Sequence, residues 1–321
     1  MTTSLLFWIV FGFIIITVLT IDLGVLNRRA HKIALKEALA WSGVWISIAL
    51  VFNVFVYFQF GKVKALEFLT AYVIEYSLSV DNIFVFILIF SFFSVKPQYQ
   101  HKILFWGILG ALIMRAIFIF AGVALINRFH WIVIIFGGFL LISGIKMLFQ
   151  KEEVAVEPEK NGLVRLFRRF LPVSDSLHGD ALFIRQDKKL FATPLFLVLL
   201  VIESTDLIFA VDSIPAVLAI SKDTFIVFTS NIFAILGLRS LYFAVSGVMG
   251  LFRYLKVGLA IVLSFVGLKM LASYFHIEIP ILFSLAIIIS VLLVSIIASV
   301  IIKKKESLPE LIKRDDFQAN H

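Results

Sequence analysis

The chain has 321 residues, is 61% hydrophobic, holds no cysteine, and carries 29 Lys and Arg against 21 Asp and Glu for a formal charge of +8, with a mean hydropathy of +1.04. So apolar a composition exceeds the roughly 45–50% of a soluble domain and defines a polytopic helical membrane protein; the alternation of a β-barrel is absent, and helices satisfy their own backbone in lipid. Disulfides, thiolate metal sites and thiol redox chemistry are excluded, and the basic excess reads as cytoplasmic-loop charge, so no nucleic-acid partner is expected.

Nine apolar spans are predicted, near 4–26, 38–60, 67–93, 102–126, 131–149, 193–220, 224–249, 257–275 and 279–302. Each is close to the roughly 20 residues that cross a hydrocarbon core of about 30 Å. The first lacks a basic leader and an Ala-x-Ala-like cleavage site, so it reads as a retained span. The third carries Glu75, Asp81 and Asn82, the fourth Arg115 and the fifth Lys146. A polar segment follows over 150–192, in which Leu163–Leu171 reads either as a basic surface helix or as a plain connector. The sixth span carries Glu203, Asp206, Asp212 and Ser213, with Pro215 just beyond; the seventh carries Arg239 and the eighth Lys269. Pro215 predicts a kink or opening beside Asp212, because it cannot donate to the carbonyl of Val211.

Lys and Arg divide unevenly between the two sides. One side holds four in 27–37, two in 94–102, eight in 150–192, two in 250–256 and five after 302, 21 in all, and the other holds four. By the positive-inside bias the first side is cytoplasmic. The expected protein is then multi-pass in a cytoplasmic membrane, N-terminus outside and C-terminus inside.

Two stretches repeat. Val80-Asp81-Asn82-Ile83 matches Val211-Asp212-Ser213-Ile214, which sets Glu75 against Asp206; Met114-Arg115 matches Leu238-Arg239; Gly144-Ile-Lys-Met-Leu148 matches Gly267-Leu-Lys-Met-Leu271. Three spans per copy is an odd number, so the second copy enters the membrane from the opposite side, as in many secondary transporters. The expected fold is all-α, a single membrane domain over 1–321. Repeat one covers 67–149, the loop 150–192 and repeat two 193–275, with 4–26, 38–60 and 279–302 as additional spans.

An ionised acid at bilayer depth costs roughly 2.5–3.5 kcal/mol even on the milder scales, and five lie inside the third and sixth spans. Glu75, Asp81, Glu203, Asp206 and Asp212, with Asn82 and Ser213 as neutral donors, are the candidate metal ligands; Arg115 and Arg239 supply supporting charge. On a straight helix Glu203 and Asp206 share a face, whereas Asp212 lies about 240° round from Asp206. Every histidine falls in a loop, a tail or a span edge. An oxygen-only shell suits manganese, magnesium or calcium and disfavours copper, zinc and nickel. Lys146 and Lys269 read equally as snorkelling side chains, Asp22 as an interface residue, and Glu67, Asp223 and Glu278 as water-exposed ends.

At these residues the chain resembles the TerC family, close to its bacterial Alx-type members. The likeness rests on Glu75 to Asn82 with the following Ile-Phe-Val-Phe, on Glu203 to Pro215, on Phe225 to Arg239 and on Gly267 to Leu271. It implies an integral membrane protein related to LysE-type transporters, with manganese export as the associated function and the family's acidic positions on Glu75, Asp81, Glu203, Asp206 and Asp212. The expected function is a secondary transporter, not an enzyme, that exports a hard divalent cation, with proton exchange as its driving reaction and no resident cofactor. The alternatives are a non-transporting membrane scaffold or stress-response protein acting through the 150–192 loop and an intramembrane acid-dyad hydrolase. The sequence assigns no oligomeric state.

Overall fold

The computed structural model describes residues 5–24, 35–129, 131–149, 172–174, 179–186, 189–246 and 254–301, with backbone alone at 19, 21–24 and 81. Asp22, the Leu163–Leu171 segment, the polar tail and the side chain of Asp81 therefore lie outside the described residues. Ten helices are described: α1 Leu5–Gly24, α2 Leu35–Phe60, α3 Lys62–Phe92, α4 Pro97–Arg128, α5 Ile132–Phe149, α6 Pro194–Leu218, α7 Thr224–Leu236, α8 Leu238–Ser246, α9 Leu255–Tyr274 and α10 Ile281–Ile301. Among the described residues seven helices are long and apolar enough to cross a membrane, and the bent pair α7–α8 makes an eighth; the apolar stretch Leu5–Val18 of α1 is shorter. The chain is thus an all-α polytopic membrane protein with seven to eight spans on these criteria, against the nine predicted.

Helix starts follow local chemistry. Pro97 and Pro194 open α4 and α6, where a missing N–H loses nothing and φ is already helical. Asp223 caps α7, accepting from the amides of Phe225 at 3.0 Å and Ile226 at 3.5 Å. A single residue, Gly61, joins α2 to α3 at φ 86°, a backbone setting that favours glycine.

Two sequence expectations are revised. Helix α6 runs unbroken through Pro215. Pro215 lies close to the helix's C-terminal end and is buried, so tertiary packing holds the last turn in place. The break falls instead in the seventh span, where α7 and α8 meet at 42° across Gly237. A side chain there would press on the Tyr76 ring at 3.3 Å and on Trp45 Cβ at 3.6 Å, so glycine lets the elbow rest on α2 and α3.

Small residues set the helix contacts, as expected where lipid removes the hydrophobic drive between helices. Between α5 and α9, an added Cβ at Gly267 would lie 2.8 Å from the Gly137 carbonyl, and one at Gly144 would lie 2.7 Å from the Ala260 carbonyl. As one number rises the other falls, so α5 and α9 are antiparallel. Along α4, Gly107 meets Leu199 and Ile202, Gly110 meets Glu203, and Gly122 meets Ile214 and Leu218 of α6; numbers rise together, so α4 and α6 are parallel. Helix α3 lies against α7 and α6. One apolar core runs through α3 to α9. A second, aromatic core joins α1, α2, α3 and α7, with Phe11, Phe52, Phe68, Phe225 and Phe233 all buried and the Phe52 and Phe233 rings 4.8 Å apart.

The polar segment holds structure the sequence reading lacked. Strands β1 (Phe183–Gln186) and β2 (Lys189–Ala192) pair antiparallel, Phe183 opposite Ala192 and Gln186 opposite Lys189. Asp180, just before the hairpin, accepts from Lys102 of α4 at 2.8 Å. That bond and the ammonium charge hold Asp180 below the usual carboxylate range.

Candidate functional site

Buried positions on α4 recur every four residues: Ile103, Gly107, Ala111, Arg115 and Ile119, with Val123 continuing the row. Residues four apart on a helix stack on one face, so Arg115 points into the protein by its place in that row. The Gly107, Gly110 and Ala111 positions carry little or no side chain, and α6 comes close enough there for its acids to reach the guanidinium.

Arg115 is fully buried and joins the two helices that carry the deep acids. It forms an ion pair with Glu75 of α3, itself fully buried. Its Nη2 donates to Asp206 Oδ1 of α6 at 3.3 Å, and its Nη1 to Ser213 Oγ at 3.5 Å. Asp206 and Ser213 are seven residues apart, within about 20° on a helix, which is why one guanidinium touches both. The polar set is not saturated: Glu75 Oε2, Asp206 Oδ2, Ser79 Oγ and Arg115 Nε are buried without a hydrogen-bond partner among the described residues. Asp206 also lines a cavity of about 10 Å³ with Phe86, Leu104, Gly107, Ala111 and Ile202, space for one water-sized guest.

The remaining predicted residues are dispersed. Asp212, one position from Ser213, turns about 100° away toward α5, where Ser143 Oγ donates to its Oδ1 at 2.9 Å and Lys146 is near enough for its charge to act. The Glu203 carboxylate rests in the notch left by Gly110 and feels the charge of Asp206. Asn82 is buried on α3 and Arg239 on α8. The structure therefore brings Glu75, Arg115, Asp206 and Ser213 together and sets Glu203 and Asp212 beside them on separate contacts. Among the described residues no three carboxylate or imidazole side chains converge as a metal site would need.

Sequence reasoning missed Ser143, whose only signal was a hydroxyl three residues before Lys146, on the same helix face. Gly110, which accommodates the Glu203 carboxylate, carries no sign of that use in its sequence neighbourhood. Glu67 and Asp223, expected at water-exposed ends, are mostly covered, with side chains 14% and 21% exposed, and Lys64 bridges them at 2.8 and 3.5 Å.

A bundle of apolar helices with a charged pairing at its centre defines a polytopic membrane protein with a buried ionic site. The chain matches the profile of the integral membrane protein TerC family over residues 60–307, and it belongs to that family. It is 50% identical over 294 residues, 92% of each chain, to an uncharacterized membrane protein of Myxococcus xanthus. It is 44% identical over 301 residues, 91% of this chain and 93% of the relative, to Alx of Escherichia coli, which is named as a candidate membrane-bound redox modulator. A Rickettsia bellii membrane protein is 40% identical over 296 residues, 92% of this chain and 97% of the relative. No solved structure matches the chain.

Proposed function

We propose that this TerC-family protein is a secondary transporter that exports a hard divalent cation, manganese foremost, from the cytosol in exchange for protons, without a catalytic step or resident cofactor. The observation that carries the reading is the buried meeting of Glu75 and Asp206, from α3 and α6, around one positive charge. Charged groups at this depth mark ion pathways, and every donor facing the centre other than Arg115 is an oxygen. Glu75 and Asp206 form the core of the cation site. Ser213 adds an oxygen at the centre, Glu203 and Asp212 stand beside it, and Asp81 and Asn82 complete the ligand set by their place in the sequence of α3.

Helix contacts support an inverted repeat. The sequence match pairs Gly144 with Gly267, and by the same offset Gly137 with Ala260. The packed pairs, Gly137 with Gly267 and Ala260 with Gly144, exchange under that pairing, as a two-fold axis between the halves requires. The antiparallel run of α5 and α9 sets such an axis across the helices, within the membrane plane. Likewise α4 against α6 exchanges with α7 against α3. Rocking one half on the other would then alternate access to the centre. The positive-inside count supports cytoplasmic placement of the 150–192 loop and the C-terminus in a bacterial inner membrane.

The name carried by the Alx relatives suggests a redox role, but thiols cannot supply one here, since the chain has no cysteine. An acid-dyad hydrolase is disfavoured because Glu75 and Asp206 both pair with Arg115 and not with each other.

The test is cell-associated manganese in a bacterial strain overproducing wild type, Glu75→Gln, Asp206→Asn or Asp212→Asn. Wild type depletes cell manganese, and the first two variants at equal membrane abundance do not. Equal depletion by all four removes the transport centre. Normal function in all three variants, with loss on deleting the 150–192 loop, favours the scaffold reading.

A further inference from the structure

We propose that Arg115 is a tethered competitor for the transported cation: its guanidinium occupies the cation's seat between α3 and α6, yields it on loading and takes it back on release. The inference rests on the transport reading and deepens it.

Arg115 is held from both halves, by Glu75 on one side and by Asp206 and Ser213 on the other. The guanidinium thus stands between the two buried carboxylates that an incoming cation would need to share. A guanidinium serving only as scaffolding would be expected to spend its five donors on the acceptors around it. Here its own Nε is unmet, as are Glu75 Oε2 and Asp206 Oδ2, and Ser79 Oγ one turn along α3 from Glu75. The oxygens outnumber what this occupant satisfies, as in a seat shaped for a guest with more coordination positions.

Charge explains why the competitor is needed. Two carboxylates balance one dication. With neither guest present they would face each other unneutralised in a medium of low dielectric, where like charges repel strongly. A resident guanidinium cancels half of that charge and the exchanged proton the other half, so the manganese-free protein can change conformation. Displaced, the guanidinium has an acid to approach. Glu203 rests against Gly110, five residues toward the N-terminus of α4, the direction in which helical side chains lean.

Competition and support make different predictions. A resident competitor lowers apparent affinity by the fraction of time the seat is taken, so its removal tightens cation binding. Loss of a supporting guanidinium would also ease the repulsion of a dication but leaves the ratio of exchange to net flux unchanged, so an unchanged ratio overturns the proposal too. The measurement is equilibrium binding of manganese(II) to wild type and Arg115→Gln in lipid nanodiscs, read as the electron-spin-resonance signal of the unbound ion. The same proteins in liposomes give net manganese flux and manganese–manganese exchange. Arg115→Gln is expected to bind about tenfold more tightly, and its ratio of exchange to net flux is expected to rise about tenfold, because only net flux requires the manganese-free return. Equal or weaker binding by the variant overturns the proposal. No manganese binding by either protein overturns the transport reading and this inference with it. If Arg115→Gln fails to reach the membrane, Arg115→Lys replaces it. A compact ammonium lacks the rigid fork with which a guanidinium spans two carboxylates and so holds the seat less firmly; tighter binding than wild type supports the competitor, and equal or weaker binding overturns it.

Discussion

A guanidinium with no exposure to solvent must find its anions within the reach of its own stem, and Arg115 finds one on each side. Removing an acid breaks a buried pair and leaves charge uncompensated, a loss of about 3–5 kcal/mol. Glu75→Ala should therefore lower the melting temperature of the purified protein well beyond Ser213→Ala, which removes only the 3.5 Å contact; equal melting temperatures would mean that the pair contributes little. Gly110→Ala is a milder probe. The three atoms nearest the added methyl all belong to the end of the Glu203 side chain, which can swing aside, so the fold should survive at a cost near the lower end of the roughly 1–3 kcal/mol of overpacking while manganese flux falls. Much of this centre was legible in the sequence, because acids and an arginine stand out in apolar spans. Their grouping was not. The angle between Asp206 and Asp212 was readable, but which neighbouring helix lies on each side is decided by glycine contacts far along the chain, and so Ser143 escaped notice.

At the level of helices, close contact depends on residues that lack a side chain. Gly267→Ala would drive a methyl to within 2.7 Å of the Leu141 amide and 2.8 Å of the Gly137 carbonyl, both backbone atoms that cannot rotate aside. Overpacking of this kind costs about 1–3 kcal/mol. The variant should melt earlier than wild type, whereas Gly138→Ala, with open space around it, should not; a thermal shift assay in detergent compares them. The hairpin allows a test by pH. Lys102 holds the folded Asp180 pKa below its unfolded value, so the pair's stabilisation is present above the ordinary carboxylate pKa and is lost as pH falls through the depressed one. Both side chains are substantially exposed, which limits the effect to about 1 kcal/mol or less. Hydrogen exchange at 183–192 should accelerate in Lys102→Ala at neutral pH and match wild type at strongly acid pH. Apolar length marked the helices well, since a span announces itself by the number of apolar residues alone. Breaks were harder to place: the proline near a packed helix end was absorbed, and the bend fell at Gly237, which nothing in the apolar pattern marked.

Across the whole molecule, an aromatic core over α1, α2, α3 and α7 adjoins the larger core that encloses the charged centre. In the transport reading, rocking one half on the other moves the helices carrying Glu75 and Asp206 relative to each other, and the core that they share repacks. The absence of cysteine makes the natural chain a ready background for single-thiol labelling. A cysteine placed at Lys62 and one placed at Lys102 should react with a membrane-impermeant maleimide from opposite sides of the membrane, the second from the cytoplasmic side; labelling of both from one side would refute the topology. The most direct measurement is manganese(II) flux into proteoliposomes under an imposed proton gradient, comparing wild type, Asp206→Asn and protein-free vesicles. Wild type should move manganese in response to the gradient, and Asp206→Asn should fall to the level of bare lipid. Flux through Asp206→Asn equal to wild type, or no flux through wild type above bare lipid, would contradict a buried acidic centre that carries the ion.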